Sequence, residues 1–456
     1  MTDPRIDPHI NYRHVFKAID PSRTLDVAKP EDDACYIDFT PVRGDKVIRK
    51  LKNRIVNLSP DEPTCSLFTG HIGCGKSTEL KRLRKELRDE KFFVVYFESD
   101  EDVDMLDVDI VDILMTIAKR ISAELENFDA PPANNLRRFV NKVHDILFTE
   151  IDLKLSAGIE GAKGELDTKK KSASLSTAIG KIVVAAKDNS TIRSKLNNHV
   201  GPQLTALLDE INTDLIAPGI AFLRQRGYRG LVTIIDNLDR IDKRAKASGR
   251  SQQEYIFVDR GSILTKLACH TIYTMPLSLM FSSEYGNLTQ RFPHAPERLP
   301  MVRIAMREGG ENASGLEKLK QMVLARIFPM SNETERRSRV GEIFAEVETF
   351  DRLCRLSGGH VRGLLKLMLQ WIEEEMQLPL TADSLEGAVR EQCDNETCSV
   401  SDAEWELLAR VRETQEVSDD EGYEKLIRSR IVFEYRDKRG SWYAVNPILL
   451  EAGKLS

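Results

Sequence analysis

The sequence predicts an α/β fold built on a doubly wound parallel sheet, and three observations carry that expectation. First, strand-like apolar runs recur: Phe92-Phe93-Val94-Val95-Tyr96-Phe97, Leu231-Val232-Thr233-Ile234-Ile235 and His270-Thr271-Ile272-Tyr273-Thr274. Strands covered by helices on both faces read as continuous runs rather than alternating ones. Second, helical periodicity separates these runs, as crossovers between parallel strands require. Third, a further run, Cys65-Ser66-Leu67-Phe68-Thr69, leads into a glycine-rich loop, after which Leu80, Leu83 and Leu87 recur at helical spacing.

The loop reads Gly70-His71-Ile72-Gly73-Cys74-Gly75-Lys76-Ser77-Thr78 and fits G-x-x-x-x-G-K-[ST], the P-loop pattern. Strand, glycine loop and helix together aim backbone N–H groups and a helix N-terminus at phosphates. The whole run is therefore the candidate nucleotide-binding loop. Lys76 is placed to reach the β- and γ-phosphates, and the Ser77 hydroxyl to hold Mg²⁺. The second half of such a site is an acid at the end of an apolar strand. Asp236, after Leu231–Ile235, fits that place and is expected to face the metal opposite Ser77.

The run continues Asp236-Asn237-Leu238-Asp239-Arg240, so the position after Asp236 holds an amide, not an acid. Asp239 is the nearest substitute for the water-polarising carboxylate; the alternative is a helix-start acid paired with Arg240. Thr274, at the end of its strand, is a candidate partner of the γ-phosphate or the attacking water, or else an ordinary β-branched strand residue. Arg362, in Ser357-Gly358-Gly359-His360-Val361-Arg362, sits at a helix start from which it could reach the phosphates; the alternative is a surface arginine. The acids from Glu98 to Asp109 read as a solvated loop and helix start rather than a metal site. No base-reading residue is visible; contacts near residues 36–43 would be through backbone groups.

Around this core the expected organisation is an extended arm over 1–35, a P-loop core over 36–310, a helical lid over 311–396 and a winged helix over 397–456. A helix is expected over 46–56 and a helical insertion over about 110–230. Met301-Val302-Arg303-Ile304-Ala305 is expected to be the last strand. Helices over 402–413 and 421–430, then strands over 431–435 and 442–445 turned by Asp437-Lys438-Arg439-Gly440, outline the wing. Within the insertion, Lys169-Lys170-Lys171 reads as a solvated face, with nucleic-acid or membrane contact as the alternative.

Composition sets bounds. At 456 residues the chain is long enough for several domains, and its net charge of −6 does not suggest a dedicated nucleic-acid binder, with a local basic face hidden in the average as the alternative. The N-terminal run has early acids and prolines and no apolar stretch, so it does not read as a signal peptide. No run approaches the ~20 apolar residues of a membrane span. The seven scattered cysteines suit free thiols in a reducing cytoplasm.

At these residues the chain resembles the AAA+/STAND class of P-loop ATPases, in particular its origin-recognition-like branch. The similarity lies in the GHIGCGKST loop, the strand followed by Asp-Asn-Leu-Asp-Arg, the Pro276-containing strand, the Ser-Gly-Gly-His-Val-Arg motif and the terminal wing, and spans about residues 36–450. The resemblance implies an ATP- and Mg²⁺-dependent switch in which nucleotide closes a lid on the core. It implies nucleotide roles for Lys76, Ser77 and Asp236, with Thr274 as sensor 1 and Arg362 as sensor 2. Asn237 departs from the pattern and points to slow hydrolysis; Arg240, Arg291, Arg298 and Arg303 compete for the arginine-finger role. No effector domain is visible, which favours control of a separate protein partner or self-association, with bacterial antiviral defence as a setting. The alternatives are a DNA-associated ATPase acting through the winged helix, and a nucleotide-binding scaffold with little turnover.

Overall fold

The computed structural model describes residues 10–156, 174–418 and 421–455. The basic run at 169–171 and the first nine residues of the expected arm lie outside them. Five parallel strands form the central sheet: β1 (Cys65–Gly70), β2 (Phe93–Glu98), β3 (Leu231–Asp236), β4 (His270–Thr274) and β5 (Glu297–Leu299), in the order β2-β3-β4-β1-β5. The α/β class and the doubly wound parallel sheet of a P-loop NTPase are thus as expected. Alternate residues of each strand face opposite sides. Val95, Phe97, Leu231 and Ile235 join a core with the helices that follow β2, whereas Val94, Val232 and Ile234 pack with Leu80, Leu83 and Leu87.

Among the described residues the span between β2 and β3 holds helices joined by turns and no strand, with Ile110–Glu126, Asn134–Ser156 and Leu175–Asp188 as its longest helices. A capping box between Asp109 and Asp112 starts the first of them. A second helical region runs from Ala313–Ile327 through Val361–Glu375 to Ala382–Thr397. The chain ends in the helices Asp402–Thr414 and Glu421–Arg428 and an antiparallel hairpin, β6 (Val432–Asp437) with β7 (Gly440–Val445). Among the described residues no helix is long and apolar enough to cross a membrane.

Two expectations need correction. The last strand is Glu297–Leu299, not 301–305. Pro300 has no N–H with which to continue the ladder, and beyond it the backbone bonds go elsewhere: Met301 N–H donates to Glu434 O at 3.0 Å and Arg303 N–H to Val42 O at 3.2 Å. The segment also passes under Gly359, where a Cβ would stand 1.8 Å from Val302 O. The N-terminal arm is in part helical. Tyr12–Ala18, capped by Asn11, buries Val15, and the following Ile19 is buried in the same core as the helix Ala313–Ile327.

The hairpin is docked on the sheet. Phe433, Tyr435 and Trp442 are buried in the same core as Phe68 and Leu80. The buried carboxylate of Glu434 accepts from Arg298 Nη1 at 2.7 Å and from Ser441 Oγ at 2.6 Å.

Candidate nucleotide site

The P-loop leaves β1 and enters the helix Lys76–Asp89 through Gly75 at φ 104°, with Gly73 at φ 89°. Both values favour glycine. A Cβ on Gly73 would also strike His360 Nε2 at 2.7 Å and Arg362 Cβ at 2.8 Å. Arg43, buried beside the loop, donates from Nη2 to Cys74 O at 2.6 Å and from Nη1 to Pro300 O. The loop's shape is therefore set by two distant parts of the chain.

Lys76 is buried, and its Nζ donates to Gly70 O at 2.8 Å and His71 O at 3.0 Å. It also lies 2.9 Å from Asp239 Oδ2, and each side chain is 6% exposed. Burial alone would lower the Lys76 pKa, but Asp239, with smaller help from Cys74 and Asp236, offsets this and holds the ammonium above its ordinary value. Asp236 is fully buried at the end of β3. Its Oδ2 accepts from Tyr96 Oη at 2.8 Å and its Oδ1 from Asn237 N–H at 2.7 Å. Burial and the Asp239 charge raise its pKa, while Ser77 and Tyr96 act to lower it. A hydroxyl and a carboxylate side by side are the hard oxygen donors that Mg²⁺ takes, so the residues present fit that ion.

Asn237 sits at φ 64°, a region asparagine tolerates better than most residues. Its amide donates to Glu98 Oε2 at 3.1 Å and Asp100 Oδ1 at 2.8 Å, and Arg240 pairs with Asp100 at 2.6 Å. The amide thus ties the loop after β3 to the end of β2, where Glu98 stands in register with Asp236. This structural use of the acids at 98–100 was not legible from an acidic run alone.

One cavity is lined by Ile72, Gly73, Gly75, Lys76, Ser77 and Thr78 from the loop and by Asn237, Asp239, Arg240 and Arg362 across from it. Gly70, Cys74 and Asp236 lie behind this lining. Thr274 is not part of the lining either: its Oγ1 accepts from Leu238 N–H at 3.0 Å and so props the Asp236–Asp239 turn from beneath. In this arrangement it positions the turn. The cavity's far wall is Pro21, Arg23, Thr24 and Arg326, rather than the expected 36–43 segment. Tyr36 Oη instead accepts from Arg82 at 2.7 Å.

His71 turns away from the cavity. Its Nε2 accepts from the backbone N–H of Glu434 in β6 at 3.1 Å, and its ring meets Phe433 edge-on at 5.8 Å. On the other side, His360 Nε2 bonds to Ile72 O at 2.8 Å and Arg362 N–H donates to Gly73 O at 3.1 Å. Burial, helped by His360 and Lys76, lowers the His71 pKa to about 3, and burial lowers that of His360 to about 4. Both rings are neutral in the fold. The unfolded chain takes up protons on them below about pH 6.5, so their contribution to stability is complete above 6.5 and is lost as the pH falls towards 4. Each ring is expected to cost ~1.4 kcal/mol per pH unit over that range. Urea titrations at pH 7 and pH 5.5 should therefore show wild type losing about 2–3 kcal/mol more than His71→Gln/His360→Gln. Equal losses would refute the assignment; other titrating groups are common to both chains and cancel.

Residues 45–247 match the KAP family P-loop domain. No curated protein sequence matches the chain. Among solved structures, the chain is similar to the Aeropyrum pernix ORC1 protein in complex with DNA, at 12% identity and TM-score 0.39, over 96% of this chain and 95% of that one. It is also similar to the Walker-type ATPase PABY2304 of Pyrococcus abyssi, at 11% identity and TM-score 0.37, over 96% and 99% of the two chains. Drosophila ORC bound to DNA gives 12% identity and TM-score 0.37, over 99% and 95%.

Proposed function

We propose that this chain is an ATP-binding, slowly hydrolysing molecular switch that controls a protein partner or its own assembly. One observation carries the reading. Three successive P-loop residues are bonded outward: His71 to β6, and Ile72 and Gly73 to His360 and Arg362 at the start of the helix Val361–Glu375. A change in the loop on ATP binding therefore reaches both the lid and the C-terminal unit without an intermediary.

The chain's own groups supply the rest. Lys76 exchanges Asp239 for phosphate oxygens, and the loop N–H groups and Arg362 hold the remaining negative charge. Ser77 and Asp236 would hold Mg²⁺, which would supply positive charge against the β- and γ-phosphates. Asp239, freed from Lys76, is the carboxylate left in the cavity to orient water.

The alternative, a DNA-associated ATPase, needs the winged-helix surface to be free. In the docked state two of the three bases of its turn are paired internally: Arg436 with Asp45 at 3.0 Å and, at the surface, Arg439 with Glu308 at 2.7 Å. The helix Glu421–Arg428 packs against Leu277–Phe281, and Glu424 holds Lys243 at 2.7 Å. These contacts favour the protein-partner reading. The test is mass photometry of wild type and Lys76→Ala with and without ATP·Mg²⁺, with phosphate release and duplex-DNA binding measured on the same samples. ATP-dependent assembly lost in the variant is expected. A fixed mass with affinity for DNA that falls steeply with salt would replace this reading with the alternative.

A further inference from the structure

A second cavity opens on the far side of Arg362 from the P-loop, between the helical region and the C-terminal hairpin. Its volume is about 110 Å³, and its lining includes Arg362, Lys366, Arg430, His360, Glu396 and Asn446. Arg362 and Lys366 are four residues apart on the helix Val361–Glu375, so they share one face. Arg430 comes from the opposite wall, just after the helix Glu421–Arg428, and holds a left-handed φ of 64°.

The charge balance here is unusual for this chain. Acids outnumber bases, 72 to 66, and most arginines near the core have carboxylate partners. Yet among the described residues none of Arg362, Lys366 and Arg430 has a side-chain hydrogen bond or ion pair. The one acid of the lining, Glu396, accepts from Gln392 at 2.8 Å. His360 cannot add to or relieve the charge, because its ring is neutral and bonded to Ile72 O. Burial pushes the Arg362 pKa down, the charges of Arg240 and Arg430 add to it, and the more weakly felt Asp239 acts the other way. Like charges at this spacing repel, so folding alone gives no reason to gather them.

We propose that this crevice is an anion site, separate from the P-loop, that takes one phosphoryl group of a small phosphate-bearing molecule. Two cationic forks and an ammonium arriving from two walls suit a tetrahedral oxyanion. The volume is that of several waters, which admits a phosphoryl group and excludes a duplex. An anion seated there bridges the helix Val361–Glu375 to the segment before β6, and so holds the C-terminal unit on the core. It also shares Arg362 with the nucleotide cavity, which couples the two sites. The inference does not depend on the switch reading.

The test is a calorimetric titration of the full chain with inorganic pyrophosphate at low ionic strength, with inorganic phosphate and ADP as further arms. Wild type is expected to bind two equivalents of pyrophosphate, and Lys76→Ala one. Lys366→Gln/Arg430→Gln should also bind one, with the second site weakened about ten-fold or more; Arg430→Lys should keep both. Phosphate competing for the same site marks free phosphate as the source, whereas competition by ADP alone marks a nucleotide. The melting temperature of the double variant without anion should be unchanged or higher, since it loses repulsion rather than a bond. Wild-type stoichiometry and affinity in Lys366→Gln/Arg430→Gln would overturn the proposal. A Lys76→Ala chain that still binds two equivalents would count against the P-loop site alone.

Discussion

Replacing Lys76 with methionine is expected to abolish ATP binding and to destabilise the nucleotide-free chain by about 3 kcal/mol. The first effect follows from losing charge-assisted bonds to the phosphates, each worth roughly 1.5–3 kcal/mol. The second is specific to this structure. Among the described residues the Lys76 ammonium is the one cation within hydrogen-bond reach of the buried Asp239 carboxylate, and it also satisfies the carbonyls of Gly70 and His71. Removing it strands a buried carboxylate beside a second one, Asp236. The double variant Lys76→Met/Asp239→Asn removes both charges and should recover most of the stability without recovering ATP binding. Urea titration of all four chains of the cycle, with calorimetry for ATP, measures both. Equal stability of the single and double variants would show that the pair is not coupled.

The contrast between these two effects reflects what the sequence makes legible. Glycine spacing, the strand before it and the helix after it are local features, and they locate Lys76 and Ser77 within nine residues. Two-sided burial writes β2 and β3 as unbroken apolar runs, so Asp236 at a strand end is also readable. The partner of Lys76 is less so: Asp239 is in the right neighbourhood, but its ion pair depends on the turn that Thr274 and Asn237 hold. Thr274 shows the limit of position without direction. It stands at the strand end as expected, yet its hydroxyl faces the turn and not the cavity.

What the sequence could not show is contact across the chain. His71 meets Glu434, which is 363 residues away, through a backbone N–H that no residue pattern marks. The N-terminal arm carries few apolar residues, so its periodicity is weak, but Val15 and Ile19 are fully buried because a complementary helical surface exists at 313–327. Pro300 was the local sign that 301–305 would leave the sheet, and it lies just before the run expected to be the last strand.

The position after Asp236 decides the second large effect. Asn237 cannot act as a base, which leaves Asp239 and Glu98. Both are near the turn, but their surroundings differ. Glu98 is held by Asn237 and by Lys81 at 3.2 Å and lies outside the cavity lining, whereas Asp239 lines the cavity opposite the P-loop. Asp239→Asn is therefore expected to cut turnover by about 10²–10³, within the usual range for losing a general base. It should at the same time tighten ATP binding, because Asp239 competes with phosphate oxygens for Lys76 in the empty state. A lower kcat with a lower KM is the signature of removing a ground-state competitor and a base together. Glu98→Gln keeps the hydrogen bond from Asn237 and should change turnover less than about ten-fold. Steady-state kinetics of the two variants separates the cases. A large loss in Glu98→Gln with a small one in Asp239→Asn would move the base to β2 and leave Asp239 as the resting partner of Lys76.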